Sequence, residues 1–265
     1  MFDLDAYLER IGLSGRPKLA EVHRSHVAAI PFENLDPHQG IPVSLEEAGL
    51  AEKLVSGRRG GYCFEQNLLF AAALEALGAE VEPMLARVRL GAPSDSRRPR
   101  SHLLLRVRNA DGLWHADVGF GAGTLLEPIP FGPGGSYEQS GWGYRVVPDE
   151  AELVLQTRHA GQWMDLYGFV PEPVPRVDIE TSNWFTCTHP RSPFVTGLII
   201  SSQDPDGTRH SLSDWSGLAL TKQTPGNLDT IEVAREEIPR LLETRFELPG
   251  FGLNAEGRVV RMDEP

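Results

Sequence analysis

The spacing of apolar positions changes after the first eighty or so residues, from the period of helices to the period of strands. From Asp3 to Ile11 the apolar residues are Leu4, Tyr7, Leu8 and Ile11, one face of a helix that Gly12 ends. A second helix follows Pro17, with Leu19, Val22, His23 and His26 on one stripe, and Pro31 stops it. The two histidines read as core residues bonded within a helical bundle, not as metal ligands. In Phe32-Glu33-Asn34-Leu35 a carboxylate sits among apolar neighbours and needs a partner, for which Arg58 or Arg59 is the candidate. Ser44 and Glu47 form a capping box that opens a third helix through Val55. The run from Phe64 to Leu77, closed by Gly78, gives a fourth.

Met84, Ala86, Val88 and Leu90 then alternate with Leu85, Arg87 and Arg89, which is strand spacing. His102 to Arg108 and Leu113 to Val118 are two further strands, joined by the turn composition Asn109-Ala110-Asp111-Gly112. With Ala110 and Asp111 at the loop tip, His102 lies opposite Gly119 and Asp117 is its diagonal neighbour on the same face, roughly 7–8 Å away between backbones. A loop longer or shorter by a single residue puts the two on opposite faces. Strands over Tyr144–Val147, Leu153–Thr157 and Gln162–Phe169 complete an antiparallel middle region, a barrel or sandwich. A short helix follows from Val177 to Thr188 and a loop from Pro190 to Pro193. Next come an apolar strand from Phe194 to Ser201 and a strand from His210 to Trp215. Leu228 to Phe246 reads as an amphipathic helix in which Pro239 is acceptable only as a break or a new first turn.

Composition narrows the class. The chain has 265 residues, 40% hydrophobic and 23% charged, as an ordinary soluble globular protein does. A net charge of −12 argues against nucleic-acid binding, which needs a basic face. No stretch approaches the ~20 apolar residues of a membrane span, and Met-Phe-Asp-Leu-Asp carries acid where a signal peptide carries Lys or Arg. A cytoplasmic protein without a membrane partner is expected. Cys63 and Cys187 allow at most one disulfide, and no Cys/His cluster calls for a metal.

Candidate chemistry centres on Arg58-Arg59-Gly60-Gly61-Tyr62-Cys63-Phe64-Glu65-Gln66-Asn67. Cys63 stands at the start of the fourth helix, where roughly half a positive charge and unpaired N–H groups favour a thiolate. The glycines permit close backbone approach, and N–H groups beyond them are candidates to hold an oxyanion. With His102 and Asp117 on one face of the hairpin, a Cys-His-Asp relay has its parts: Cys63 attacks, His102 moves the proton, and Asp117 fixes the imidazole tautomer.

The stretch Arg59 to Asn67 resembles the active-site motif of the arylamine N-acetyltransferases. Ser101-His102-Leu103-Leu104-Leu105 and Asp117-Val118-Gly119-Phe120-Gly121 are similar to that family's His and Asp motifs. Ile30-Pro31-Phe32-Glu33-Asn34-Leu35, Asn183-Trp184, Thr188-His189-Pro190 and Phe194-Val195-Thr196-Gly197 resemble its other markers. The resemblance implies an α+β fold. Its parts are an N-terminal helical bundle over 1–83 carrying the cysteine, a central antiparallel β-barrel over 84–193 carrying His and Asp, and a C-terminal α/β lid over 194–265. The Cys-His-Asp triad is of cysteine-protease type. The implied activity is ping-pong transfer of acetyl from acetyl-CoA, a co-substrate, to Cys63 and then to an arylamine or arylhydrazine. Phe120 would line the acceptor pocket, Phe194 would face the place where acceptor and pantetheine meet, and Phe185 and Arg191 would contact the coenzyme.

Two stretches depart from the pattern: Gly121-Ala122-Gly123-Thr124 where many bacterial relatives have Gly-Gly-Gln-Thr, and Pro193 where a Lys often precedes the Phe. A rival reading within the architecture is an amide synthase that closes an ansamycin-type macrolactam from a polyketide on an acyl carrier protein. Arg87, Arg89, Arg97, Arg98, Arg100, Arg106 and Arg108 against Asp95 would form a basic patch suited to CoA phosphates or to an acidic carrier. Hydrolysis and a non-catalytic binding module are the remaining readings. The Arg-Gly-Gly-x-Cys motif points away from the first, and the presence of Cys63, His102 and Asp117 from the second.

Overall fold

The structure, a computed structural model, describes residues 2–93 and 98–262. Helices α1 (Leu4–Arg10) and α2 (Leu19–Ala29) form where the apolar stripes fall, and they bury Tyr7, Leu8, Val22, His23, His26 and Val27. Asp3 caps α1 by accepting the Ala6 N–H at 3.0 Å. Strand β1 (Phe32–Glu33) and a single turn α3 (Leu35–His38) follow. The third helix departs from expectation. Ser44 Oγ accepts the N–H of Glu46 instead of Glu47, so the capping box does not form. Helix α4 (Glu47–Leu50) then widens into a π-helical turn over Ala51–Ser56. Helix α5 (Cys63–Ala76) begins at the cysteine, and Gly78 beyond it takes φ 92°, the left-handed value that ends a helix.

Strands β2 (Glu80–Val88), β3 (Arg100–Asn109), β4 (Gly112–Ala116), β5 (Ile129–Pro130), β6 (Ser136–Gln139), β7 (Trp142–Asp149), β8 (Glu152–His159) and β9 (Gln162–Phe169) make one antiparallel sheet, in the order β5-β4-β3-β2-β9-β8-β7-β6. The β3–β4 register is the one the turn predicts, with Leu105 opposite Ala116 and Asn109 opposite Gly112. The sheet curls toward closure. Gln139 on β6 accepts the N–H groups of Leu126 and Glu127 and donates to the Glu127 carbonyl, so a side chain spans the seam beside β5.

Helix α6 (Arg176–Thr188) leads to a single turn α7 (Pro193–Thr196), so Phe194 lies in a turn of helix and not at the start of a strand. Ser192 caps that turn and Pro193 fits its first position, which is why the apolar run starts helical. A second sheet, ordered β1-β10-β11-β12-β13, contains β10 (Ile199–Gln203), β11 (Arg209–Ser213), β12 (Ala219–Thr224) and β13 (Asn227–Glu232). Residues 228–232, expected as helix, are therefore strand. Pro225 and Gly226 turn the chain back, and β12 supplies a ladder partner. Helix α8 (Ile238–Phe246) starts afresh with Pro239 in its first turn. The β14 (Phe251–Leu253) and β15 (Val259–Arg261) hairpin packs its Phe251 and Val259 with α8.

Three buried clusters result. One joins α1, α2 and α5 to the curled sheet, a second lies under α8, and a third gathers Phe32, Leu45, Tyr62, Cys63, Phe64, Leu85, Leu103, Ile179 and Cys187. Full burial of side chains such as Phe64 and Leu103 stabilises by about 1.5–3 kcal/mol each. This third cluster fixes α5 against β3, and so the cysteine against the histidine strand. No helix among the described residues is long and apolar enough to cross a membrane.

Candidate active site

The turn before Cys63 is packed backbone to backbone. A Cβ on Gly60 would lie 2.2 Å from the Pro31 carbonyl oxygen, so close approach, not an unusual φ, demands glycine there. A buried chain of charges ties this turn down. Arg59 donates to Glu33 Oε1 at 3.0 and 2.7 Å and to Asp36 at 2.8 Å. Lys53 pairs with Asp36 and with Glu65, each at 2.6 Å, and Glu65 Oε2 accepts the Tyr62 N–H at 3.0 Å. Of the two arginines proposed for Glu33, Arg59 is the partner. That Tyr62 N–H, a candidate for an oxyanion, is spent on the cap. Three carboxylates share two cations. Burial raises Glu65 to about 7, with Lys53 pulling it down and Glu33 pushing it up. Burial also opposes the charge on Arg59, but Glu33 and Asp36 outweigh it and hold the guanidinium well above its usual range.

Cys63, His102 and Asp117 come together beneath the surface, at 3%, 2% and 0% exposure. The ladder ends at Ala116, and from there the chain brings Asp117 Oδ2 to 2.7 Å from His102 Nε2. Cys63 lies close enough to the imidazole to help raise it, and the thiol Sγ is 3.7 Å from the Ser101 carbonyl oxygen. Burial disfavours the imidazolium, yet the Asp117 charge and hydrogen bond and the Cys63 contact prevail and raise His102 to about 10. Burial likewise opposes the Asp117 charge. His102, the Asn67 amide and the Gly119 N–H overcome it, bringing Asp117 down to about 2.

Several partners of Asp117 were not assigned from sequence. Asn67 Nδ2 donates to Asp117 Oδ1 at 3.0 Å and to the Leu103 carbonyl, while its Oδ1 takes the Val118 N–H. The signal was present, since Asn67 lies one helical turn past Cys63 as a polar residue in an apolar run. Tyr167 on β9 donates to Asp117 Oδ2 at 2.8 Å and accepts from His115 Nε2 at 2.8 Å. Its neighbours in sequence carry no hint of this role. Gly119 packs directly on Cys63, for a Cβ there would lie 2.8 Å from Cys63 Cα.

Phe120 meets the His102 ring edge-on at 5.0 Å and so borders the relay, while Phe194 lies 5.4 Å from Tyr62 and 6.1 Å from Phe32, packed on the cluster that holds Cys63. Phe185 instead stacks on His189 at 4.5 Å, and Arg191 is exposed. Among the described residues no hydrogen bond or ring contact joins either to Cys63, His102 or Asp117. Most described arginines of the expected basic patch are already paired. Arg89 binds Asp149, Glu152 and Asp165, Arg106 binds Glu82, Arg108 lies 3.7 Å from Glu80, and Arg87 lies 3.6 Å from Glu152. Arg97 and Asp95 fall outside the described residues. A cavity of about 530 Å³ opens between α4, α5, β2 and α6, lined by Leu45, Leu68, Ala72, Val81 and Ile179 among others, and holds none of the relay side chains.

The model of a family described as N-acetyltransferase matches residues 17–250, which places the fold and its cysteine helix among N-acetyltransferases. An arylamine N-acetyltransferase of Mycolicibacterium smegmatis is 44% identical over 75% of this chain and 76% of its own length. One from Salmonella typhimurium, an arylamine N-acetyltransferase / N-hydroxyarylamine O-acetyltransferase, is 34% identical over 95% of this chain and 89% of its own. Among solved structures, the Mycobacterium marinum arylamine N-acetyltransferase in complex with CoA superposes with TM-score 0.88 at 35% identity, covering 93% of each chain. The chain belongs to the arylamine N-acetyltransferase family, whose members are acyltransferases.

Proposed function

We propose that this enzyme acetylates arylamines and arylhydrazines from acetyl-CoA in two half-reactions through an acetyl-Cys63 thioester. The observation that carries the reading is the buried 2.7 Å bond from His102 to Asp117 beside Cys63, in a chain of this family. In the first half-reaction the Cys63 thiolate attacks the acetyl carbonyl and the CoA thiolate leaves, taking the proton held by the His102 imidazolium. In the second, the amine nitrogen attacks the thioester carbonyl, His102 accepts its proton, and Cys63 departs as thiolate. Asp117 keeps the imidazole in one orientation and steadies its positive charge. Phe120, beside the His102 ring, and Phe194, beside Tyr62, line the acceptor side. Phe185 on α6 and Arg191 in the loop after it are the proposed coenzyme contacts, and the CoA complex of the Mycobacterium marinum relative supports this donor. The pairing of Arg89 and Arg106 withdraws them from CoA phosphates and from an acidic carrier alike, and it is the arylamine N-acetyltransferase relatives that favour acetyl transfer over amide synthesis.

Incubation with acetyl-CoA and no amine tests the reading. The protein should gain the mass of one acetyl group, Cys63→Ala should abolish the gain, and Cys187→Ala should retain it. Labelling that survives in Cys63→Ala overturns the assignment. Label from a carrier-bound acyl chain but not from acetyl-CoA would favour the amide synthase.

A further inference from the structure

Two histidines of α2 take no part in this chemistry, yet each bonds into one half of the relay. His23 is wholly buried and bonded at both ring nitrogens, Nε2 lying 3.2 Å from the Asp117 backbone nitrogen and Nδ1 3.2 Å from the Leu126 carbonyl oxygen. A backbone N–H only donates and a carbonyl only accepts, so the ring is the neutral tautomer with its proton on Nδ1. His26, one turn on, is buried as deeply, with Nε2 3.1 Å from Gln66 Oε1 and Nδ1 2.8 Å from the Tyr7 hydroxyl. Gln66 Nε2 donates to the carbonyls of Pro31 and Gly61, at 3.1 and 2.9 Å. Its Oε1 is therefore an acceptor and His26 carries its proton on Nε2. Burial keeps both rings neutral, lowering His23 to about 4 and His26 to about 3. Phe70 of α5 meets both rings edge-on at 5.5 Å and fixes their planes.

The two chains of bonds end at the positions the relay needs fixed. Asp117 has left the β3–β4 ladder, so no strand partner takes its N–H, and His23 does. The Gly61 carbonyl stands two residues before Cys63 on the turn that aims the thiol. We propose, resting on the relay assigned above, that His23 and His26 are positioning residues, holding Asp117 and the turn into Cys63 at a set separation from one rigid helix. In both rings Nε2 faces the relay and Nδ1 faces the scaffold. An acceptor is needed at His23 Nε2 and a donor at His26 Nε2, and neutral histidine supplies either by choice of tautomer.

Leucine at either position would orphan several buried polar atoms, so the test compares Gln with Asn. A Gln amide reaches where Nε2 stood and can present oxygen to the Asp117 N–H or nitrogen to Gln66. An Asn amide reaches only where Nδ1 stood. The readout is the rate of Cys63 alkylation by iodoacetamide against pH, which reports the thiolate–imidazolium pair and needs no acetyl donor. Thermal unfolding is measured alongside, with Val146→Ala, a sheet-core substitution outside the relay, as the control for lost stability alone. His23→Asn and His26→Asn should each lose about tenfold or more of the alkylation rate below about pH 6, where an unpaired thiol is almost wholly protonated. His23→Gln and His26→Gln should stay within about threefold of the parent, as a retained bond requires. Equal Gln and Asn profiles on a reactive parent, or Asn losses no greater than those of a Val146→Ala control of similar stability, overturn the proposal. A parent without reactivity on the acid side sinks the relay itself, and this proposal with it.

Discussion

The two sides of the site are held by different physics. The cysteine side is tied by ions, Glu33, Arg59, Asp36, Lys53 and Glu65 in one buried chain ending on the Tyr62 N–H. The carboxylate side is tied chiefly by neutral dipoles. Asn67, Tyr167 and the Gly119 N–H converge on the Asp117 side chain, and His23 takes its backbone N–H. Neutral donors around Asp117 keep a carboxylate charged, and among the described residues the imidazolium of His102 is its only ionic partner. The ion chain does the reverse work. It fixes a backbone turn and carries one carboxylate more than it has cations.

Asp117→Asn breaks the neutral side most sharply. Oδ1 accepts from Asn67 and Gly119, and Oδ2 from His102 and Tyr167, so an amide nitrogen at either place faces two donors. Asn67 is anchored by Leu103 and Val118 and cannot turn. The amide nitrogen therefore settles toward His102, whose Nε2 must become an acceptor, and the proton moves to the nitrogen that should receive one from Cys63. Acetyl transfer should fall by roughly three to four orders of magnitude, as loss of the orienting carboxylate does in serine-type triads. A loss below about tenfold in single-turnover acetylation, barely 1.4 kcal/mol of barrier, would make Asp117 structural.

Arg59→Met breaks the ionic side. It strands Glu33, fully buried, with the Leu35 N–H as its one remaining partner among the described residues, and leaves Asp36 to Lys53. Removal of one member of a buried ion pair costs about 3–5 kcal/mol, to be read from urea unfolding. A cost under about 1 kcal/mol, the value of an exposed pair, would mean that packing and not charge holds the turn.

The difference between the two sides also governs what the sequence could tell. The helix start at Cys63 and the His102–Asp117 face depend on short-range rules, a run of helix formers and a two-residue turn, and both were legible. Arg59 as the partner of Glu33 was narrowed to two residues, because only the buried one of Arg58 and Arg59 serves. Tyr167 was invisible because it reaches Asp117 from β9, two places from β3 in the sheet and far along the chain. The β13 half of the β12–β13 hairpin reads as helix because Leu228 and Ile231, three apart, fit the helical period, whereas in a strand they fall on opposite faces. Its strand state comes from pairing with β11 through β12, a long-range fact. The basic patch failed for a similar reason, since Asp149, Glu152 and Asp165 that neutralise Arg89 come from distant strands.

The smallest effect expected is also the most specific to the ionic side. Glu65 ionises in the folded protein at about 7, above its ordinary 4.5, because burial outweighs Lys53 and the surplus charge of the chain falls on it. A raised carboxyl means that the folded state holds the proton more tightly than the unfolded one. Below about pH 4.5 both states are protonated at this group and above about 7 both are ionised, so its contribution to stability declines only between those values as pH rises. Asp117 has the opposite sign: lowered to about 2, it contributes stability above the ordinary carboxylate range that is lost as pH falls toward 2. Glu65→Gln removes the surplus charge and leaves Lys53 its bond to Asp36 at 2.6 Å. Relative to this variant, the parent's Tm should fall as pH is raised from about 4.5 to about 7 and hold level on either side. A difference in Tm that stays constant across that interval would show that Glu65 is ionised throughout, its charge matched by Lys53 alone.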